Sequence, residues 1–140
     1  MVHHVARLDD PQEPIAPPAL LGFDAAQDCT RILDKAKAAG VSWIGRYYSY
    51  NPRKNLSAPE ARAILGAGLD IVSIWEAQGD RATSFFYQNG RREGIEAVQQ
   101  ARQVGQPKGT AIYFAVDFDA SVSQIDISVI PYFRGVAEVV

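Results

Sequence analysis

Four apolar runs alternate with four helix-patterned segments along this chain, and that alternation limits the fold more than any other feature. Residues 19–24, 41–48, 69–76 and 110–117 read as strands, rich in β-branched and aromatic residues. Between and after them lie helical patterns at 29–39, 58–67 and 89–104, with a last one starting at Ser121 or Ser123. The stop and start signals agree with these bounds. Asp28 or Thr30 opens the first helix and Gly40 closes it, while Ser57-Ala58-Pro59-Glu60 spells a capping box with proline in the first turn. Helix three is expected to bury Ile95, Val98 and Ala101. The last helix is expected to carry its stripe on Ile125, Val129, Phe133, Val136 and Val140, with Pro131 kinking it or delaying its start. The fourth run is apolar on both faces, as a buried parallel strand is. Strictly alternating units of this length predict an α/β fold with a parallel sheet and right-handed crossovers.

Acids sit at corresponding places in this pattern. Asp24 ends the first run, Glu76 the third, and Asp117 with Asp119 the fourth. In a parallel β/α array the strand C-terminal ends share one face, and active sites are built there. The sequence thus predicts carboxylates from three separated segments on one rim. Arg46, Tyr47, Tyr48, Trp75 and Phe118 fall at the same ends and are the candidate substrate-binding residues. Each has a plainer alternative. Asp24 and Asp119 suit turns or helix caps, Glu76 suits a solvated loop, the aromatics suit packing, and Arg46 suits a surface ion pair.

Composition narrows the class. With 140 residues the chain can bury a real core, and a net charge of -2 argues against a nucleic-acid binder. No apolar run approaches the roughly 20 residues that span a bilayer. Residues 1–18 hold four prolines and no signal-peptide core, and read as a flexible leader. His3 and His4 lie in that leader without another ligand nearby, so no metal site and no cofactor are expected. Cys29 has no partner for a disulfide and reads as a small packed residue. The pattern ends on an apolar residue, Val140, after four units, so a truncated domain is expected, with self-association through its open edges.

Gly22-Phe23-Asp24, Ile44-Gly45-Arg46-Tyr47-Tyr48, Ser73-Ile74-Trp75-Glu76, the run from Ile112 to Asp119, and Tyr132-Phe133-Arg134-Gly135-Val136 occur in that order. Together they resemble the bacterial glycoside-hydrolase-like domain family, which is distantly similar to the glycoside hydrolase family 25 lysozymes. The resemblance implies a TIM-type β/α barrel, of which residues 19–140 hold about the first four units. It also implies an exported or phage-associated protein that acts on or binds cell-wall polysaccharide. Asp24 matches the early-strand Asp of those lysozymes. Asp117-Phe118-Asp119 matches their Asp-x-Glu loosely, because Asp119 is one carbon shorter than the expected glutamate.

Glycoside cleavage needs one protonated and one ionised carboxyl group. On that chemistry Glu76 or Asp119 is the candidate acid, Asp117 the nucleophile or electrostatic partner, and Asp24 the orienting group. Two other functions compete. The barrel can persist as a wall-binding or structural module without turnover. Asp117-Phe118-Asp119-Ala120-Ser121 also looks like the nucleophile loop of Mg-dependent phosphatases, although that loop belongs on the first strand of its fold.

Overall fold

The computed structural model describes residues 20–140; the proline-rich leader, with His3 and His4, lies outside the described residues. Four strands, β1 (Gly22–Ala25), β2 (Trp43–Tyr48), β3 (Asp70–Trp75) and β4 (Ile112–Phe114), form one parallel sheet in the order β1-β2-β3-β4. Helices α1 (Leu33–Ala38), α2 (Ala58–Gly66) and α3 (Tyr87–Val104) connect them. The chain ends in α4 (Val122–Gln124), a π-helical stretch at Ile125–Val129, and α5 (Ile130–Ala137). This is an α/β fold of sequential parallel units with flanking helices, consistent with part of a β/α barrel.

The caps follow the sequence closely. The Asp28 carboxylate accepts from the Thr30 amide at 2.8 Å, and the Thr30 side chain first and this amide second, more than the nearby arginines, hold its carboxyl below the usual range. Gly40 closes α1 with φ of 81°, a left-handed turn open to glycine. Ser57 accepts from the Glu60 amide at 3.2 Å, but Glu60 does not return the bond, because its side chain is used elsewhere.

The pleat sorts side chains into two faces. Phe23, Ile44, Tyr48, Ile71 and Trp75 pack with Leu33, Ile64 and Ala97 of the helices, and Leu56 and Leu69 complete this core. Gly45, Tyr47 and Ile74 point the other way, onto the open face of the sheet. A second cluster joins Phe85, Tyr132 and Val136 to Phe114, Val116 and Phe118.

Two helical faces depart from expectation. In α3 the buried positions are Asn89, Gly90, Glu93, Gly94, Ala97 and Ala101, and Ile95 is exposed. Val98 is half-buried. The reason is α5, which lies against α3 so closely that a Cβ at Gly90 would sit 2.0 Å from the Tyr132 carbonyl. Small residues face the contact, and the larger isoleucine is left outside. The last helix also changes phase. Pro131 lacks an amide, and the turn before it widens into the π-helical stretch, which displaces the stripe by a residue. Val136 is buried as expected, but Tyr132 takes the buried place in the turn before it, while Ile125, Phe133 and Val140 are exposed.

Candidate functional site

Tyr47 organises the open face. Its hydroxyl donates to Asp24 Oδ2, and the charges of Glu76 and Asp117 also act on it. Burial first, then that hydrogen bond, then the three surrounding carboxylates push its phenol far above the ordinary tyrosine range. Asp24 thus reaches Tyr47 by a hydrogen bond, while Glu76, directly after β3, and Asp117, beyond the end of β4, act on it through their charge. Glycine at position 45 permits it: a Cβ there would lie 2.8 Å from the Asp24 Cβ. Asp24 sits opposite Gly45 in the β1–β2 register, one residue before Tyr47's neighbour Arg46 is matched by Ala25.

Lys54 completes the cluster, and sequence reasoning missed it. Its ammonium lies 2.6 Å from Glu76 Oε1 and 4.0 Å from the centre of the Tyr47 ring. The loop after β2 turns back at Asn51, and Asn55 forms a bridge to Tyr47, with the Leu56 amide donating to the Tyr47 carbonyl at 2.8 Å. That return carries Lys54 over the ring. No local pattern around Asn51-Pro52-Arg53-Lys54 marks the residue, because its role depends on where the loop lands.

Asp117 is exposed, and its amide donates to the Gly79 carbonyl at 2.8 Å, which ties the β3–α3 loop to the end of β4. Asp119 is exposed in the segment leading to Ser121, and it is Ser121, not Asp119, that caps α4. Phe118 turns inward, its ring 5.5 Å from Phe85.

Besides Phe118, three expected binding residues are not brought to the rim. Arg46, Tyr48 and Trp75 are each 1% exposed and lie on the helix face. The pleat is the cause: Arg46 and Tyr48 alternate with Tyr47, and Trp75 alternates with Glu76. Trp75 Nε1 donates to Glu93 Oε2 at 2.8 Å, the Tyr132 hydroxyl donates to the same oxygen at 2.6 Å, and Asn89 Nδ2 donates to Oε1 at 2.9 Å. Burial, then the Glu93 bond, pushes the Tyr132 phenol strongly up. The Tyr48 hydroxyl donates to Gln106 Oε1 at 2.9 Å. Arg46 holds no rim acid. It pairs with Glu60, Nε to Oε1 at 2.7 Å and Nη2 to Oε2 at 3.0 Å. Cys29 is packed, as its composition context implies, with burial raising its thiol.

Among the described residues no group of three or more His, Cys, Asp or Glu side chains is arranged to hold a metal ion, and no helix is long and apolar enough to cross a membrane.

A sequential four-stranded parallel sheet with flanking helices places this chain in the α/β class. Its sequence matches the Rv2525c-like, glycoside hydrolase-like domain over residues 34–140, and the chain belongs to that family. The match includes Glu76, Asp117 and Asp119, whereas Asp24 lies before it. Two uncharacterised proteins of Bacillus subtilis are related. FadG is 31% identical over 110 residues, covering 76% of this chain and 19% of FadG. YbfG is 36% identical over 122 residues, covering 79% of this chain and 17% of YbfG. The chain therefore spans less than a fifth of either relative. Among solved structures, the Tat-secreted protein Rv2525c of Mycobacterium tuberculosis, in complex with L-tartrate, superposes with a TM-score of 0.73 at 26% identity. That superposition covers 86% of this chain and 62% of Rv2525c. An uncharacterised B. stearothermophilus protein shares the fold, with a TM-score of 0.66 at 21% identity, covering 86% of this chain and 56% of that one.

Proposed function

We propose that this domain acts on bacterial cell-wall glycan, with Asp24, Glu76 and Asp117 as the groups that meet the sugar. The observation that carries the proposal is the cluster on Tyr47: its hydroxyl donates to Asp24, and Lys54, paired with Glu76, lies over its ring, while the charge of Asp117 also acts on it. Family membership supports it, and the Tat-secreted Rv2525c supports a site of action outside the cytoplasm. On this reading the sheet is one part of a TIM-type barrel whose strand ends form the floor of a sugar cleft.

The roles follow from partners. Tyr47 holds one oxygen of Asp24, which suits an orienting group. Lys54 holds one oxygen of Glu76, which suits an electrostatic partner. Asp117 is exposed on the same rim and is our candidate for direct work on the glycosidic bond, with Asp119 beside it as the second acid. Reducing-end release from purified peptidoglycan tests this. Asp117→Asn is expected to lower turnover by at least about 10²-fold, the usual worth of a positioned acid or base. Undiminished turnover in Asp117→Asn and Glu76→Gln would reject the assignment.

A second reading is a glycan-binding module without turnover. That Asp119 is one carbon shorter than the glutamate expected there favours it. Retention on peptidoglycan without any reducing-end release selects this reading over the first.

A further inference from the structure

Arg46 and Glu60 do not touch the open face, yet they hold both segments that build it. Each side chain is 1% exposed. The guanidinium uses its whole fork. Nε and Nη2 grip the two Glu60 oxygens, while Nη1 donates to the Ala25 carbonyl and, at 3.3 Å, to the Lys54 carbonyl. Glu60 Oε1 also accepts from the Cys29 amide at 2.9 Å, which fixes the start of the β1–α1 connection. Ala25 directly follows Asp24, and Lys54 is the residue whose ammonium reaches Glu76. One side chain therefore pins the peptide beside the first acid and the backbone of the cation paired with the second.

We infer that Arg46 and Glu60 are positioning residues, setting Asp24 and Lys54 on the rim through the backbone of Ala25 and of Lys54 itself. This rests on the reading of the rim as a glycan site. Stability alone is a poor reason for such a pair. A buried ion pair generally adds little over apolar side chains of the same volume, because desolvation offsets the attraction. What an apolar pair lacks is a planar fork of donors aimed at two carbonyls. Lysine lacks it too, being a point charge on a flexible stem.

The test uses the full chain with Arg46→Lys and with the double variant Arg46→Met, Glu60→Leu, which removes both charges together. Three measurements are made on each. These are thermal unfolding, the pH titration of the Tyr47 ring followed by NMR with Tyr47→Phe as the assignment control, and peptidoglycan turnover. Both variants are expected to unfold cooperatively. Their Tyr47 phenol is expected to ionise closer to the ordinary tyrosine range than in the parent, because the Asp24 carboxylate no longer stays against it. Turnover is expected to fall on the order of 10²-fold in kcat with KM little changed, as for a displaced reacting group. A folded Arg46→Lys whose Tyr47 titrates as in the parent overturns the inference. Loss of folding in both variants also overturns it, since the pair is then a stability element. A parent protein that neither binds nor cleaves glycan defeats the functional proposal alone, because the Tyr47 titration still decides the positioning.

Discussion

The two faces of the sheet treat their acids in opposite ways. On the helix face, Glu60 and Glu93 are buried, and their oxygens are taken up within the protein. Arg46 and the Cys29 amide satisfy Glu60; Trp75, Tyr132 and Asn89 satisfy Glu93 with no cation bonded to it among the described residues. On the open face, Asp24, Glu76 and Asp117 have one partner each or fewer from side chains, and keep oxygens available. Buried acids with complete hydrogen bonding are structural, because a missing partner leaves a desolvated charge. Acids with spare valence at a strand-end rim are the ones that can meet a ligand. The difference separates framework from site more sharply than residue type does, since both faces use the same carboxylates.

The largest expected effect of breaking this contrast lies on the helix face. Glu60→Ala leaves Arg46 buried without its counterion and is expected to cost about 3–5 kcal/mol in urea unfolding. A loss under about 1 kcal/mol would mean that water or rearrangement supplies the missing partner, and the division between faces would weaken. Next comes Tyr132→Phe, which takes one of two donors from Glu93 Oε2 and is expected to cost about 1–3 kcal/mol.

The same residue gives a pH dependence with a definite sign. Tyr47 and Tyr132 have phenols raised in the folded state, so the unfolded chain releases those protons first as pH rises. Their contribution is fully present below the ordinary tyrosine value of about 10 and is lost above it. Thermal unfolding between neutral pH and pH 11 is expected to show that decline, and the slope is expected to flatten in Tyr132→Phe. An unchanged slope would show that the Tyr132 phenol is not held as the Glu93 contact implies.

Substitutions on the open face are expected to do least to stability. Asp117→Asn is expected to stay within about 0.5 kcal/mol of the parent while glycan turnover falls. Lys54→Ala removes a partly exposed ion pair, worth at most about 1 kcal/mol, and its effect is expected to shrink at high salt. A large, salt-independent loss from Lys54→Ala would instead place that residue with the framework.

The sequence made the fold legible where the signal was local. Hydrophobic runs, Ser57 and Gly40 mark elements whose bounds the structure reproduces within a few residues, because caps and periodicity act over one or two turns. It was less legible where two distant segments meet. The exposed Ile95 and the shifted stripe of α5 follow from the close contact of α3 with α5 and from the π-helical turn before Pro131, and neither is visible in a single helix.

The candidate site divides along the same line. By itself the sequence determined the alternating parallel β/α units, since strand order and direction follow from that pattern, but not that Asp117 lies three residues beyond the end of β4. Only the tertiary structure decided which strand-end residues face the rim and which face the helices. The pleat turns neighbours such as Arg46 and Tyr47 to opposite sides, and only packing tells which side is buried. The same holds for Lys54, whose place over Tyr47 is set by a returning loop, and for Glu60, which its capping motif assigned to Ser57 but which a buried arginine claimed. Charge satisfaction in a desolvated interior is worth more than a surface cap, and that balance is struck only when the chain is folded.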